Sequence, residues 1–441
     1  MDFRKIFDFI PEVVKPLEKK VGFNVKLKWT LVILGAFFIL ANIPLFGLSE
    51  NALARFEYLA IILGTDFGSI ISLGIGPIVM ASIILQLLTG SGILNIDTTT
   101  IEGKKFFQGI QKILVFFFII FEAIIYVSMQ GLQASPGFAG IVIFQLILGG
   151  LAIFYMDDLV SKWGFGSGIS LFIAAGVSGA MFWQIFSPPI GINAGGILFK
   201  LFTTGELLGL LPIIAVVVIF LIVVFAEGMH VNIPITMGHR GTGGRYPVKF
   251  LYVSNMPVIL AMALFMNVRL WALFVEKVPF VGEFFAGLAW AVNLPNIGGQ
   301  SLVQGIIYNW GNFAVIFPAI IQGIIFIFLL IIACIVFGWF WVQMGNQSTE
   351  AVAAQLERSG MQIPGFRKDK RVIEKVLNRY IPPITILGSI FVALLAGLGD
   401  MVLSGLASGT GILLTVGIIY RFYEEIAKSQ AEALAPFLGK L

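Results

Sequence analysis

The sequence predicts an all-α, polytopic membrane protein of about ten transmembrane helices in two pseudo-symmetric inverted halves of five. Two observations concern composition: 58% of the 441 residues are hydrophobic and 12% are charged. Soluble domains carry roughly 25% charged residues, so this chain has too little polar surface to cover a water-soluble globule. The third observation is a series of long apolar runs bounded by charged residues.

About ten of these runs are long enough to cross a bilayer. They lie near residues 28–48, 70–89, 110–130, 138–156, 168–187, 211–228, 251–274, 313–343, 380–400 and 405–422. An even number of spans leaves both termini on one side of the membrane. All but four of the 28 lysines and arginines fall on that side, and the exceptions are Arg55, Lys200, Arg269 and Lys277. The positive-inside rule therefore places both termini in the cytoplasm.

The first 27 residues form a cytoplasmic N-terminal segment. Within residues 1–20, apolar side chains recur at spacings of three, four and seven with Lys and Glu between them. This pattern predicts an amphipathic helix on the membrane surface, interrupted at Pro11 and Pro16. A structural anchor is its expected role.

The spans divide at the Gly- and Pro-rich stretch 187–196. We expect a first half over residues 28–195 and a second half over residues 205–441. Two groups of five spans in one membrane have opposite topologies, as in inverted-repeat proteins. This inference rests on the number of spans, because the sequence shows no internal repeat.

A half-apolar stretch lies between the first two spans, and its segment at about 52–64 is too short to cross ~30 Å of hydrocarbon. Gly64 and Gly68 break it. Non-helical backbone is tolerated at membrane depth only inside protein or beside a water-filled cavity. The segment therefore reads either as a re-entrant element or as a surface helix outside the cytoplasm.

Two further runs have unusual glycine patterns. Residues 69–88, SIISLGIGPIVMASIILQLL, read alone as a kinked transmembrane helix that lets a neighbour approach closely. Residues 154–173, FYMDDLVSKWGFGSGISLFI, read alone as a tight cytoplasmic turn between two spans. Their glycines lack the strand and the acidic residue that a dinucleotide-binding fold needs, and GxxxxGK[ST] is absent from the sequence.

Together these two runs resemble the two signature segments of the SecY family, the large subunit of the Sec protein-conducting channel, in its archaeal form. The resemblance continues through YVSNMPVI (252–259), IPGFRK (363–368), RYIPP (379–383) and GTGILLTVGIIYRFYE (409–424). It implies a passive channel that conducts unfolded secretory polypeptides across the cell (plasma) membrane. It also implies lateral release of transmembrane segments into the lipid bilayer.

The resemblance implies a pore closed at its waist by a ring of aliphatic side chains. The matching positions are Ile75, Val79, Ile169, Ile173, Ile259 and Leu414. Two of these pairs have i, i+4 spacing, so each pair projects from one helix face. Aliphatic side chains exclude water and ions yet offer no hydrogen bonds to a passing chain. By itself, each position is also typical of ordinary packing or of contact with lipid.

The segment at about 52–64 matches the family's plug, which seals the channel on the extracytoplasmic side. The family's lateral gate lies between spans two and three on one side and spans seven and eight on the other. Glu122 and Asn267 match a polar cluster in that gate, and Met80 stands where relatives often have a hydroxyl. An isolated carboxylate within a span is costly and usually has a partner.

Two long basic loops, 229–250 and 344–379, carry clustered cationic residues. The candidates for contact with ribosomal RNA phosphates are Arg240, Arg245, Arg367, Lys368, Lys370 and Arg371. The alternative is that these residues only set the topology or touch anionic headgroups. Family resemblance favours the ribosome, and it implies SecE-type and SecG/Sec-beta-type small membrane subunits together with signal sequences and nascent polypeptides.

A secondary transporter is the main competing class, because inverted repeats and broken helices occur there too. Transporters need polar ligands that converge at the midplane, and the few charged residues in or beside spans mostly lie near predicted ends. An enzyme is not expected, since Cys334, His230 and His239 are too few for a metal site or a Ser-His pair. No cofactor is predicted, so force on the translocating chain must come from a partner.

Overall fold

The computed structural model describes the chain from residue 11 to residue 438 with gaps. The described residues are 11–16, 21–48, 68–90, 93–94, 96, 100–128, 132–188, 196–205, 210–237, 243–275, 280–298, 300–344, 347–358, 361–362, 370–403 and 409–438. They fall into two compact units. The first comprises the described parts of Met1–Leu85, Lys105–Ile214 and Leu403–Leu441, and the second those of Gln86–Lys104 and Ala215–Val402.

Fourteen helices and five short strands lie in the described part of the chain. The helices are α1 (Phe23–Ala41), α2 (Gly76–Gly90), α3 (Ile101–Ser128), α4 (Ala139–Trp163), α5 (Gly168–Phe186), α6 (Ile197–Thr204), α7 (Leu211–Gly228), α8 (Met256–Val275), α9 (Val281–Ala291), α10 (Leu302–Tyr308), α11 (Phe313–Met344), α12 (Thr349–Arg358), α13 (Lys370–Leu403) and α14 (Gly409–Leu438). The strands are β1 (His230–Met237), β2 (Gly243–Lys249), β3 (Asn296–Ile297), β4 (Gln300–Ser301) and β5 (Met361–Gln362).

Seven helices in the described residues are long and apolar enough to cross a membrane, namely α1, α3, α4, α5, α7, α11 and α13. Predicted spans two, seven and ten coincide with α2, α8 and α14. Helix α2 has only 15 residues, because the chain forms turns before Gly76. The helical, multi-pass class is therefore confirmed, and the number of ten spans stays a prediction.

In the first unit, α5 packs against α14, α4 and α1, and α1 also packs against α4 and α14. The rings of Phe37 on α1 and Phe172 on α5 stack with centroids 4.9 Å apart. Residues 71–75 are buried although they are not helical, and α4 passes close to this turn. A Cβ atom on Gly149 of α4 would collide with the Ile70 carbonyl. Protein therefore encloses this irregular backbone, as membrane depth requires.

In the second unit, α8 packs against α11 and α9, with the Phe265 and Phe326 rings 5.9 Å apart. The basic loop 229–250 contains a β-hairpin, an element that the sequence analysis did not predict. Strands β1 and β2 pair antiparallel with His230 opposite Lys249, and β5 adds to β1 at its far end. Ile233 is buried between the exposed residues Asn232 and Pro234, which is the alternation of a strand with one covered face.

Several helix boundaries differ from prediction, and α14 runs 16 residues beyond the predicted span near 405–422, to Leu438. Helix α13 begins at Lys370, ten residues before the predicted span near 380–400, and runs through Pro382 and Pro383. In the N-terminal segment, residues 11–16 are not helical, so the predicted amphipathic helix does not extend over them. Helix α1 then begins at Phe23, inside the predicted segment 1–27.

Candidate functional site: constriction, gate and docking loops

The first signature segment places two of the predicted ring residues one helical turn apart. Its turn is closed by Ser72, whose hydroxyl donates to the Ser69 carbonyl at 2.6 Å and accepts from the Gly68 N–H at 2.8 Å. The Val79 N–H then donates to the Ile75 carbonyl at 3.1 Å. Ile75 and Val79 are 6% and 8% exposed. The pair therefore shares one face at the start of α2.

The second signature segment places Ile169 and Ile173 in the first turns of α5. The Ile169 N–H donates to Asp157 Oδ1 on α4 at 2.9 Å, so an aspartate of the neighbouring helix satisfies the helix N-terminus. Ile173 is buried, and Ile169 is half-buried. The sequence predicted a turn at Asp157, but α4 continues for six more residues to Trp163.

The glycines between α4 and α5 mark close approaches by other helices. Gly166 has φ +64°, and a Cβ atom there would lie 2.5 Å from the ring of Phe422 on α14. The Phe165 N–H donates to the Thr30 hydroxyl on α1 at 3.0 Å. The junction therefore joins four helices of the first unit. Leu414 is buried on α14, which packs along α5.

Ile259, the remaining ring position, belongs to the second unit. It lies in the first turn of α8, where its N–H donates to the Asn255 carbonyl at 3.2 Å, and it is half-buried. Ser254 precedes this turn with φ +52°, an unusual conformation for a non-glycine residue.

The two predicted gate residues lie in different units. Glu122 on α3 faces the backbone at the start of α2, since a Cβ atom on Gly76 would lie 3.1 Å from Glu122 Oε2. Asn267 is buried on α8, and its side-chain amide donates to the Ala263 carbonyl one turn earlier at 2.7 Å. The Glu122 carboxylate therefore lies next to the backbone of Gly76, the residue that follows Ile75.

Sequence reasoning missed a second polar contact between α2 and α3. The Gln111 side-chain amide donates to the Ser82 hydroxyl at 2.8 Å, and that hydroxyl donates to the Ile78 carbonyl at 2.8 Å. Gln111 precedes Glu122 by eleven residues, which is about three helical turns and returns to the same face. Two polar residues at this spacing in an apolar helix could have indicated from the sequence that this face of α3 makes polar contacts.

A small hydrophobic core, here called the loop core, lies beneath both basic loops in the second unit. Its buried members are Ile233, Val248, Val253, Val342, Val352, Ala353, Leu356, Ile373, Leu377, Ile381 and Ile384. They come from the hairpin, the turn before α8, the end of α11, α12 and the start of α13. Tyr246 packs against this core, and burial raises the pKa of its hydroxyl. The Tyr252 hydroxyl donates to the Gln347 carbonyl at 2.7 Å.

Of the predicted docking residues, Arg245 is exposed on β2 opposite Pro234, and Arg371 is exposed in the first turn of α13. Lys370 is the first residue of α13. Arg240, Arg367 and Lys368 lie outside the described residues, as does the predicted plug at 52–64.

Residues 11–16, in the N-terminal segment, bind to α3 and α4 through ion pairs and hydrogen bonds. Glu12 pairs with Lys112 and, at 3.5 Å, with Lys162, and these cations lower the pKa of its carboxyl despite partial burial. The Val13 N–H donates to Asp158 Oδ2 at 2.9 Å. The Trp163 indole N–H donates to the Val14 carbonyl at 2.8 Å. Lys162 Nζ also donates to the Val13 carbonyl and to Asp158 at 2.7 and 2.8 Å.

Nothing in the described part of the chain groups three His, Cys, Asp or Glu side chains as a metal site. Cys334 is buried on α11.

Comparison with known proteins gives one consistent family. A profile of the SecY family matches residues 69–423. The protein translocase subunit SecY of Methanothermobacter thermautotrophicus is 46% identical over 99% of this chain and 97% of its own length. The corresponding subunit of Methanocaldococcus jannaschii is 40% identical over 99% and 98%.

Solved structures agree with the sequence comparison. A structure described as that of a protein-conducting channel has TM-score 0.82 and 37% identity, with complete coverage of both chains. Sec61 in the canine ribosome–channel complex from the endoplasmic reticulum has TM-score 0.81 and 38% identity, again with complete coverage. On its matched signature segments, its helical architecture and these full-length similarities, the chain belongs to the SecY family.

Proposed function

We propose that this chain is the central subunit of a protein translocation channel, which conducts unfolded secretory polypeptides passively and releases transmembrane segments into lipid. The observation that carries the proposal is full-length similarity to protein translocase subunits, extending through both signature segments. A chain of this family is a channel and not an enzyme, so the energy for movement comes from a partner.

The proposed constriction consists of Ile75, Val79, Ile169, Ile173, Ile259 and Leu414. Support within the first unit comes from the shared faces of the two i, i+4 pairs and from the burial of four members. The place of Ile259 rests on the family resemblance. Aliphatic side chains suit this role because they exclude ions when packed and bind no polypeptide group strongly when displaced.

The proposed lateral gate includes Glu122 and Asn267, again by resemblance. On the first-unit side of that gate, α3 contacts α2 through the Gln111–Ser82 hydrogen bond and through the close approach of Glu122 to Gly76. Such contacts stabilise a closed gate but are few enough to break when a signal sequence intercalates. Segment 52–64 is proposed as the plug, since a similar structure concerns the plug domain of SecY and its membrane seal.

The proposed cytoplasmic partner is the ribosome. One relative at 38% identity is part of a ribosome–channel complex, and the loop core presents Arg245 and Arg371 on exposed positions. Arg240, Arg367, Lys368 and Lys370 belong to the same proposal. SecE-type and SecG/Sec-beta-type subunits are the proposed membrane partners. The proposed location is the cell (plasma) membrane with both termini in the cytoplasm.

The constriction is tested by polar substitution in the complex reconstituted into vesicles. We expect Val79→Asn to raise the resting ion conductance and to let substrates with defective signal sequences through, because a polar side chain wets the closed pore. Val142→Asn is the control, since Val142 is also a buried valine and lies on α4, outside the proposed ring. Unchanged conductance and stringency in Val79→Asn, or equal changes in both variants, would contradict the proposed ring.

A further inference from the structure

We propose that Asp157 is a positioning residue that sets the N-terminus of α5 and, through it, Ile169 and Ile173 of the constriction. This inference rests on the proposed function, since it concerns how that constriction is held closed. It is carried by the contact between α4 and α5, two helices of the first unit.

Helix α5 needs a hydrogen-bond acceptor from outside itself. The first N–H groups of any helix have no partner within the helix, and a side chain at the N-cap position usually supplies one. Ser167 occupies that position in α5 but makes no such bond. Asp157 supplies it from α4 instead, with its Oδ1 accepting from the Ile169 N–H at 2.9 Å.

The contact leaves little freedom in where α5 begins. A Cβ atom on Gly168 would lie 2.5 Å from the Asp157 Cα, so the two backbones touch at this point. A negative charge at a helix N-terminus is favourable, and more so where water is scarce. The close backbone approach and the negative charge of Asp157 therefore both stabilise the position of the first turn of α5.

The effect reaches the constriction directly. The N–H that Asp157 holds belongs to Ile169, and Ile173 follows one turn later on the same face. Any shift of the first turn of α5 moves both side chains together.

The adjacent residue, Asp158, provides a matched control within the same motif. Its carboxylate accepts from the Val13 N–H at 2.9 Å and from Lys162 Nζ at 2.8 Å, so it holds the N-terminal segment and not α5. The two neighbouring carboxylates therefore have separate tasks.

The test compares Asp157→Ala, Asp157→Asn and Asp158→Ala in the complete channel complex reconstituted into planar bilayers. Resting ion conductance and the passage of substrates with defective signal sequences are measured. We expect about a fivefold rise in conductance for Asp157→Ala, because losing a capping acceptor shifts a two-state equilibrium by roughly that factor. Asp157→Asn keeps one acceptor oxygen, so its conductance should rise by only about twofold. The conductance of Asp158→Ala should equal that of the parent channel.

Equal conductance in Asp157→Ala and the parent channel, or equal rises in Asp157→Ala and Asp158→Ala, overturns the inference. If Asp157→Ala does not accumulate, the conductances of Asp157→Asn and Asp158→Asn are compared instead. Both substitutions keep the shape of the side chain, and only Asp157→Asn should raise the resting conductance. An Ile173→Gly channel separates this inference from the proposed function. If Ile173→Gly raises the resting conductance and Asp157→Ala does not, only the positioning role of Asp157 is refuted. If Ile173→Gly leaves the resting conductance unchanged, the proposed constriction is refuted.

Discussion

The junction between α4 and α5 and the loop core of the second unit are held by opposite means. At the junction, residues 157–168 are fixed by single polar atoms and by glycines that admit a neighbouring helix. In the loop core, buried aliphatic side chains from four separate elements fix the hairpin, α12 and the start of α13. The first arrangement depends on particular atoms and the second on total apolar area.

This difference predicts unequal tolerance to change. Fully burying one aliphatic side chain contributes about 1.5–3 kcal/mol, and a core accepts other side chains of similar volume. A hydrogen bond contributes about 1 kcal/mol net, but its geometry admits no substitute of different shape. The loop core should therefore be destabilised most by truncation of a buried side chain. The junction should be destabilised by the addition of a single methyl group.

The largest effect is expected for Leu377→Ala, which empties a fully buried position of the loop core. Such truncations cost about 2–5 kcal/mol. We expect faster proteolysis within residues 344–379 and weaker ribosome binding, because binding falls with the fraction of molecules in which the loop core is folded. Co-sedimentation with ribosomes and limited proteolysis measure the two effects.

Leu387→Ala is the control on the same helix, because Leu387 is 56% exposed. Equal loss of ribosome binding in both variants, or none in Leu377→Ala, would show that the loop core does not support docking.

A smaller effect is expected for Gly166→Ala at the junction. Positive φ costs an L-residue about 1–2 kcal/mol, and the added methyl group also meets the Phe422 ring. The thermal midpoint of the purified complex in detergent should fall. Gly137→Ala isolates the backbone contribution, because Gly137 has φ +86° with no atom within 4 Å of the built Cβ.

Adding Phe422→Ala should remove the collision and leave only the backbone strain. Relative to Phe422→Ala alone, Gly166→Ala should then cost about as much as Gly137→Ala. A Gly166→Ala cost that Phe422→Ala leaves unchanged would contradict the account of the junction.

The two regions also differ in how far the sequence predicts them. Apolar runs and charges predicted the helical membrane class, and the signature segments predicted the family. They did not predict that Asp157 caps α5, because the motif was interpreted as a turn and α4 continues past it. The loop core was missed for another reason: its apolar residues are scattered among charged ones, and only folding brings hairpin and helices together.

The smallest effect is expected at the N-terminal segment, where Glu12 is half exposed and its ion pairs contribute about 0.2–1 kcal/mol. The pairing with Lys112 and Lys162 lowers the pKa of Glu12 from its ordinary value of 4.5. This stabilisation is therefore present above pH 4.5 and is lost as the pH falls through the lower folded pKa.

A spin label at Val14→Cys, in a Cys334→Ser background, should become more mobile as the pH falls through that range. Glu12→Gln should be mobile already at pH 7, and it should lose this pH dependence. A label whose mobility is unaffected by pH, or a Glu12→Gln variant that responds as the parent does, would exclude this role for the ion pairs.

If a polypeptide passes through the constriction, cysteines in the chain and in the ring should come close enough to form disulfides. A single cysteine replaces Val79 after Cys334→Ser, and ribosome-stalled secretory chains carry cysteines at successive positions. We expect crosslinks that require a functional signal sequence and that move along the chain as the stall point moves. No crosslink at Val79, Ile169 or Ile259, despite competent targeting, would contradict a central pore and would favour a transporter.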